Sequence, residues 1–126
     1  MSESSIYRGG YHCGSVAYEV RGPLENVSEC NCSICAKKGY LHWIIERERF
    51  RLLTPWENLA TYTFNTRTAQ HHFCPRCGVA SFYIPRSDPD KIDVNVRCLE
   101  DVDVGKLSRT HFDGRNWEDS IKSYHR

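Results

Sequence analysis

Val16, Tyr18 and Val20 alternate with Ala17 and Glu19, the two-residue period of a strand with one covered face, and Arg21-Gly22-Pro23 ends it. Tyr40 to Ile45 is rich in β-formers and too short for a helix, so it is expected to be a buried strand. Glu46 to Arg51 alternates charges around Phe50 and suits a helical turn, after which Leu52-Leu53 returns to sheet until Pro55 breaks it. Leu59 to Phe64 alternates again, Asn65 to Thr68 reads as a hairpin connection, and Gln70 to Cys74 runs back. Val79 to Ile84 forms the next strand, Pro85 to Pro89 a loop, and Ile92 to Val96 a half-exposed strand ending near Cys98. Only the tail has a helical pattern: Asn116 is placed to cap Trp117 to Tyr124, whose Trp117, Ile121 and Tyr124 share a face. The pattern predicts a mostly β domain of about seven or eight short strands, closed by a short C-terminal helix.

Length and charge narrow the class. The chain of 126 residues suits one domain, taken as residues 1–126, and 40% hydrophobic with 26% charged residues is the balance of a folded globular protein. Its formal charge of +1 supplies no global field for nucleic acid, microtubules or an anionic membrane. No apolar run has the length of a membrane span, and Met1 to Ser5 has neither the basic start nor the apolar core of an export signal. A reducing compartment, cytoplasmic or nuclear, is therefore expected, and it agrees with an odd number of cysteines, seven.

Those thiols are the candidate chemistry. Cys30, Cys32 and Cys35 fall within six residues, Cys74-Pro75-Arg76-Cys77-Gly78 has the spacing of a zinc knuckle, and Cys13 and Cys98 stand apart. Two partitions are open. Cys32-x-x-Cys35 with Cys74-x-x-Cys77 makes one closed four-thiolate zinc site, which leaves Cys30 unexplained. Alternatively, Cys30, Cys32 and Cys35 hold one zinc with a coordination position open, and Cys74 and Cys77 hold a second with Cys13. Three thiolates around a divalent zinc carry a net charge of −1, so such an ion is a weak Lewis acid but can present a substrate sulfur as an electron-rich thiolate.

Gly9-Gly10-Tyr11-His12-Cys13-Gly14, the Cys30-x-Cys32-x-x-Cys35 cluster, Thr61 to Thr66, and Ala69 to Cys74 running on to Cys77-Gly78 together resemble the glutathione-dependent formaldehyde-activating enzymes and their animal relatives, the centromere protein V group. Ser81-Phe82-Tyr83 and Pro85-Arg86-Ser87 look closer to the animal group. The resemblance covers nearly the whole chain. It implies a folded, tent-like β-sheet domain with a structural zinc at Cys13, Cys74 and Cys77 and a catalytic zinc at Cys30, Cys32 and Cys35. It also implies a carbon–sulfur lyase that reversibly joins glutathione to formaldehyde, giving S-hydroxymethylglutathione. The alternative it carries is a non-catalytic zinc module in chromatin or cytoskeletal association. One departure stands out: the family opens with C-x-C-G, and here the first cysteine is replaced by Tyr11. A phenol with a pKa near ~10 is an improbable zinc ligand, so the site is expected to recruit His12, His72 or a water, or else to stay weak or empty, a histidine being favoured. Cys98 is either a fourth ligand of the three-cysteine site in the absence of substrate or simply a small buried residue.

The remaining residues read more plainly. His71 and His72 are neighbours on a strand and point to opposite faces, so at most one reaches a given metal. His42 and His111 offer no spacing argument. Trp43, Tyr62, Phe64, Phe73, Phe82 and Tyr83 are expected to pack core and cross-strand contacts. Arg67, Arg76, Arg86 and Arg97 are candidates for the carboxylates of a glutathione-like ligand.

Overall fold

A computed structural model describes residues 5–124. Ten strands lie in two sheets among these residues. The smaller sheet has the order β1-β2-β5, from β1 (Ile6–Gly10), β2 (Ala17–Arg21) and β5 (Phe50–Leu52). The larger has the order β10-β3-β4-β9-β8-β7-β6. Its members are β3 (Ser28–Cys30), β4 (Leu41–Glu46), β6 (Ala60–Tyr62), β7 (Gln70–Phe73), β8 (Phe82–Ile84), β9 (Lys91–Asn95) and β10 (Thr110–Phe112). All pairings are antiparallel except that of β10 with β3.

The core lies between the sheets. Tyr18 and Val20 of β2 are fully buried and meet Trp43, Phe82 and Val94 from the larger sheet; Tyr18 packs edge-on to Phe82, with ring centroids 5.5 Å apart. Because strand side chains alternate, the register that turns Trp43, Val94 and Phe82 into this core turns their neighbours the other way. Ser28 lies opposite His42, Ile44 opposite Asp93, Asp93 opposite Tyr83, and Tyr83 opposite His71. The second face of the large sheet therefore carries a polar row.

The mostly β fold with a short C-terminal helix matches the sequence pattern, although ten short strands form among the described residues rather than seven or eight, β3 and β10 being unforeseen, and three further places differ. A helix not foreseen, α1 (Ser33–Lys38), follows the first thiols; it starts where the Cys32 sulfur accepts the Cys35 N–H, 3.4 Å away, and stops at Gly39, whose φ of 64° is left-handed. β9 is buried on both faces rather than half-exposed, because Asp93 packs against His42 and the Asn95 side chain accepts the Leu41 N–H and donates to the Ala80 carbonyl. Asn116 does not cap α2 (Trp117–Tyr124). It belongs to a 3-10 turn, Gly114–Asn116, that runs into the helix, and its amide donates to Asp113 Oδ2 at 2.8 Å.

Candidate metal centres and cleft

Cys30 ends β3, Cys32 caps α1 and Cys35 lies in its first turn, so a strand end and a helix start bring three thiols together. Their sulfurs lie within 4.8 Å of one another. Three thiols this close cannot all ionise without a cation: hydrogen bonds from Cys30 and Cys35 hold the Cys32 thiol well below its ordinary value, whereas Cys30 and Cys32 together push Cys35 up. A divalent cation would resolve that conflict by stabilising all three thiolates, so the donor set fits zinc.

A second group joins Cys13, Cys74 and Cys77, again within 4.8 Å. The amides of Arg76 and Cys77 donate to the Cys74 sulfur, both at 3.3 Å, while Cys13 Sγ lies 3.5 Å from it. Burial opposes ionisation of Cys74, but those amides, with Ser15 and Cys13, bring its pKa down to about 6. The turn closes through Gly78, whose φ of 80° is left-handed. On the other side Gly10 is needed for space, since a Cβ there would collide with the Val16 carbonyl. This donor set also fits zinc, with three sulfurs.

The partition into two thiol groups is the geometry found; Cys32 and Cys35 do not share a site with Cys74 and Cys77. Neither histidine expected near the knuckle belongs to it. His12 is exposed, and His72 turns into the core, where its Nδ1 lies 2.9 Å from Thr61 Oγ1 and its ring packs against Trp56 and Phe82. Tyr11 instead is 5% exposed, and its hydroxyl is buried without a hydrogen-bond partner. Burial raises its pKa well above the ordinary phenol value, and the Cys74, Cys77, Cys98 and Cys13 thiols around it push the same way. Cys98 lies on this side of the molecule and not with Cys30, Cys32 and Cys35: its thiol reaches the Ala80 carbonyl at 3.8 Å, and burial, then Cys77, raises it to about 11.

The three-thiol group opens into a cleft of about 1430 Å³ bounded by the polar row, α2 and the loops at Asn65 and Pro85 to Asp88. Gly114 presses on the thiols so closely that a Cβ would collide with Cys30 Sγ and lie 2.9 Å from Cys32 Cβ. Within the row, His42 Nδ1 lies 2.6 Å from Asp93 Oδ2 and 3.4 Å from the Tyr83 hydroxyl. His71 stacks on Tyr83 at 4.8 Å, and Lys38 Nζ lies 3.4 Å from its Nδ1. Of the four arginines named from sequence, Arg86 lines the cleft and packs over Trp117, its guanidinium carbon 3.7 Å from the ring centroid; Arg67, Arg76 and Arg97 do not line it. Lys91 and Arg115 do. Sequence reasoning missed His42, Asp93 and Gly114. The available signal was polar residues inside otherwise apolar strands, a costly placement that asks for a partner.

Two packed sheets carrying two separate three-cysteine groups, one beside a cleft, define a small β protein built to hold soft metal ions. A family model described as glutathione-dependent formaldehyde-activating enzyme matches residues 6–115, and the chain belongs to that family. A crystal structure of a Rhodobacter sphaeroides protein is similar at 34% identity with a TM-score of 0.76, over 82% of this chain and 98% of that one. Among the described residues no helix is long and apolar enough to cross a membrane.

Proposed function

We propose that this protein is a zinc-dependent carbon–sulfur lyase that reversibly joins glutathione, or a closely related thiol, to formaldehyde. The observation that carries this reading is the group Cys30, Cys32 and Cys35, three converging sulfurs on the wall of a cleft large enough for a tripeptide. Zinc held there would keep a coordination position for a substrate sulfur and present it as a thiolate. Arg86, Lys91 and Arg115 offer cations to the peptide's carboxylates, Arg86 with its plane fixed against Trp117. Zinc at Cys13, Cys74 and Cys77 would be structural, since it would tie the start of β2 to the β7–β8 connection away from the cleft.

The resemblance to the animal centromere protein V group bears on the same cleft. Of the residues that carry it, Tyr83, Pro85, Arg86 and Ser87 line the cleft, while Ser81 and Phe82 are buried. Zinc-loaded protein mixed with glutathione and formaldehyde should speed adduct formation, followed by NMR exchange. A rate equal to the spontaneous one would sink the substrate assignment.

A further inference from the structure

The large sheet's polar row holds a group that the fold does not need. His42 and Asp93 form a hydrogen-bonded pair at 2.6 Å with side chains 5% and 1% exposed, on a sheet whose opposite face already supplies the core. Apolar residues would fill this space without burying a carboxylate and an imidazole, so the pair asks for a function. With Nδ1 engaged by Asp93, the imidazole has its second nitrogen for other work, and that Nε2 is buried without a partner. His42 also lies on the thiol side: it pairs across the strands with Ser28, two residues before Cys30 on the same face, and both residues border the cleft.

We propose that His42 is the proton carrier of the cleft and Asp93 the residue that positions it, with Nε2 taking the proton of the incoming thiol and returning it to the product. This rests on the thiol–aldehyde reading above. In the forward direction Nε2 accepts the thiol proton, the sulfur attacks the carbonyl carbon, and a carbon–sulfur bond forms as the carbonyl π pair moves to oxygen. Nε2–H then protonates that oxygen. Thiol and aldehyde give the S-hydroxymethyl adduct, and the imidazole ends as it began.

The surroundings set the direction of the tuning. Burial disfavours the imidazolium, but the charge and hydrogen bond of Asp93 outweigh it and leave the His42 pKa raised, with Cys32 aiding and Lys38 opposing. Tyr83 from β8, Tyr40 just before β4 and His71 from β7 complete the titratable groups packed around it.

Nitrogen-15 NMR of histidine-labelled, zinc-loaded protein tests the contact directly: glutathione alone should shift the His42 Nε2 resonance. His42→Gln should slow adduct exchange about 100-fold with zinc content unchanged, and Asp93→Asn should move the His42 limb of the pH–rate profile to lower pH. A resonance indifferent to glutathione, or His42→Gln at the wild-type rate and pH profile, overturns the proposal. If His42→Gln fails to fold, the resonance and Asp93→Asn decide. A wild-type resonance that moves without any acceleration of the aldehyde reaction supports the thiol contact and overturns the formaldehyde assignment.

Discussion

The side-chain amide of Asn31 donates to Asp113 Oδ1 at 2.9 Å, and this bond lays the segment before α2 across the three-thiol loop. Asn31 sits between Cys30 and Cys32, so the contact acts on the loop that aims both sulfurs. Arg115 reinforces it, its backbone N–H donating to Asn31 Oδ1 at 3.1 Å and its Nε to the Asn31 carbonyl at 2.8 Å. Gly114, between these two anchors, is thereby held against Cys30 and Cys32.

Gly114→Ala should therefore act on metal binding rather than on the fold. The added methyl would meet a sulfur that zinc, once bound, would keep from moving aside as a free side chain does, and supporting residues of this kind typically tune affinity 10–100-fold. The expected outcome is zinc loss to a chelator at least about tenfold faster from one of two sites, with the far-UV spectrum unchanged. Equal release from wild type and variant would show that the loop yields freely.

The two thiol groups should separate under mutation. Cys32→Ser removes a sulfur from the cleft and should lower zinc from about two ions to about one per chain, abolishing adduct formation with little change in melting temperature. Cys74→Ser removes the buried sulfur that gathers two amides and the Cys13 thiol, and should lower the melting temperature by about 10 °C or more. Elemental analysis and thermal melts distinguish the two; identical behaviour would contradict the division of labour.

What was legible in the sequence is what spacing encodes. Cys30, Cys32 and Cys35 are joined by local backbone, and their convergence follows from a tight turn into a helix, although that six-residue helix has too short a pattern to announce itself. Strand alternation gave the core face through Val20 and Val94, and a run of β-formers placed Trp43 there. His42 and Asp93 meet across 51 residues, and Gly114 meets Cys30 only after β10 has paired in parallel with β3. No local period records such a register. For the same reason a histidine was the natural substitute for the missing ligand beside Tyr11, yet strand direction sends His72 into the core.

Tyr11 stands where the resemblance leads one to expect a cysteine, and two effects oppose each other there. Tyr11→Cys should raise zinc retention at Cys13, Cys74 and Cys77 by adding a fourth sulfur near the site. The same change empties the space of a ring that packs in the core, so the metal-free protein should lose about 2–4 kcal/mol. Tyr11→Phe keeps the ring and removes a hydroxyl that has no partner, and should stabilise the metal-free protein by about 1 kcal/mol. Denaturant melts with and without chelator check all three. Faster zinc loss from Tyr11→Phe would instead make the phenol oxygen a donor to the metal.

His71 should make the protein sensitive to mild acid. Burial, then the nearby Lys38 ammonium, depresses its pKa from 6.5 to about 4, so the folded state holds it neutral where the unfolded chain would protonate it. The unfolded state thus binds the extra proton between these values, and stability present above pH 6.5 is lost as pH falls toward 4. The full effect is about 3 kcal/mol. Comparing wild type with His71→Gln isolates it from the cysteines, which release metal in acid in both proteins. The variant's unfolding free energy should fall less steeply from pH 7 to pH 4, and parallel curves would mean that His71 is protonated in the folded protein, with Lys38 displaced from its Nδ1.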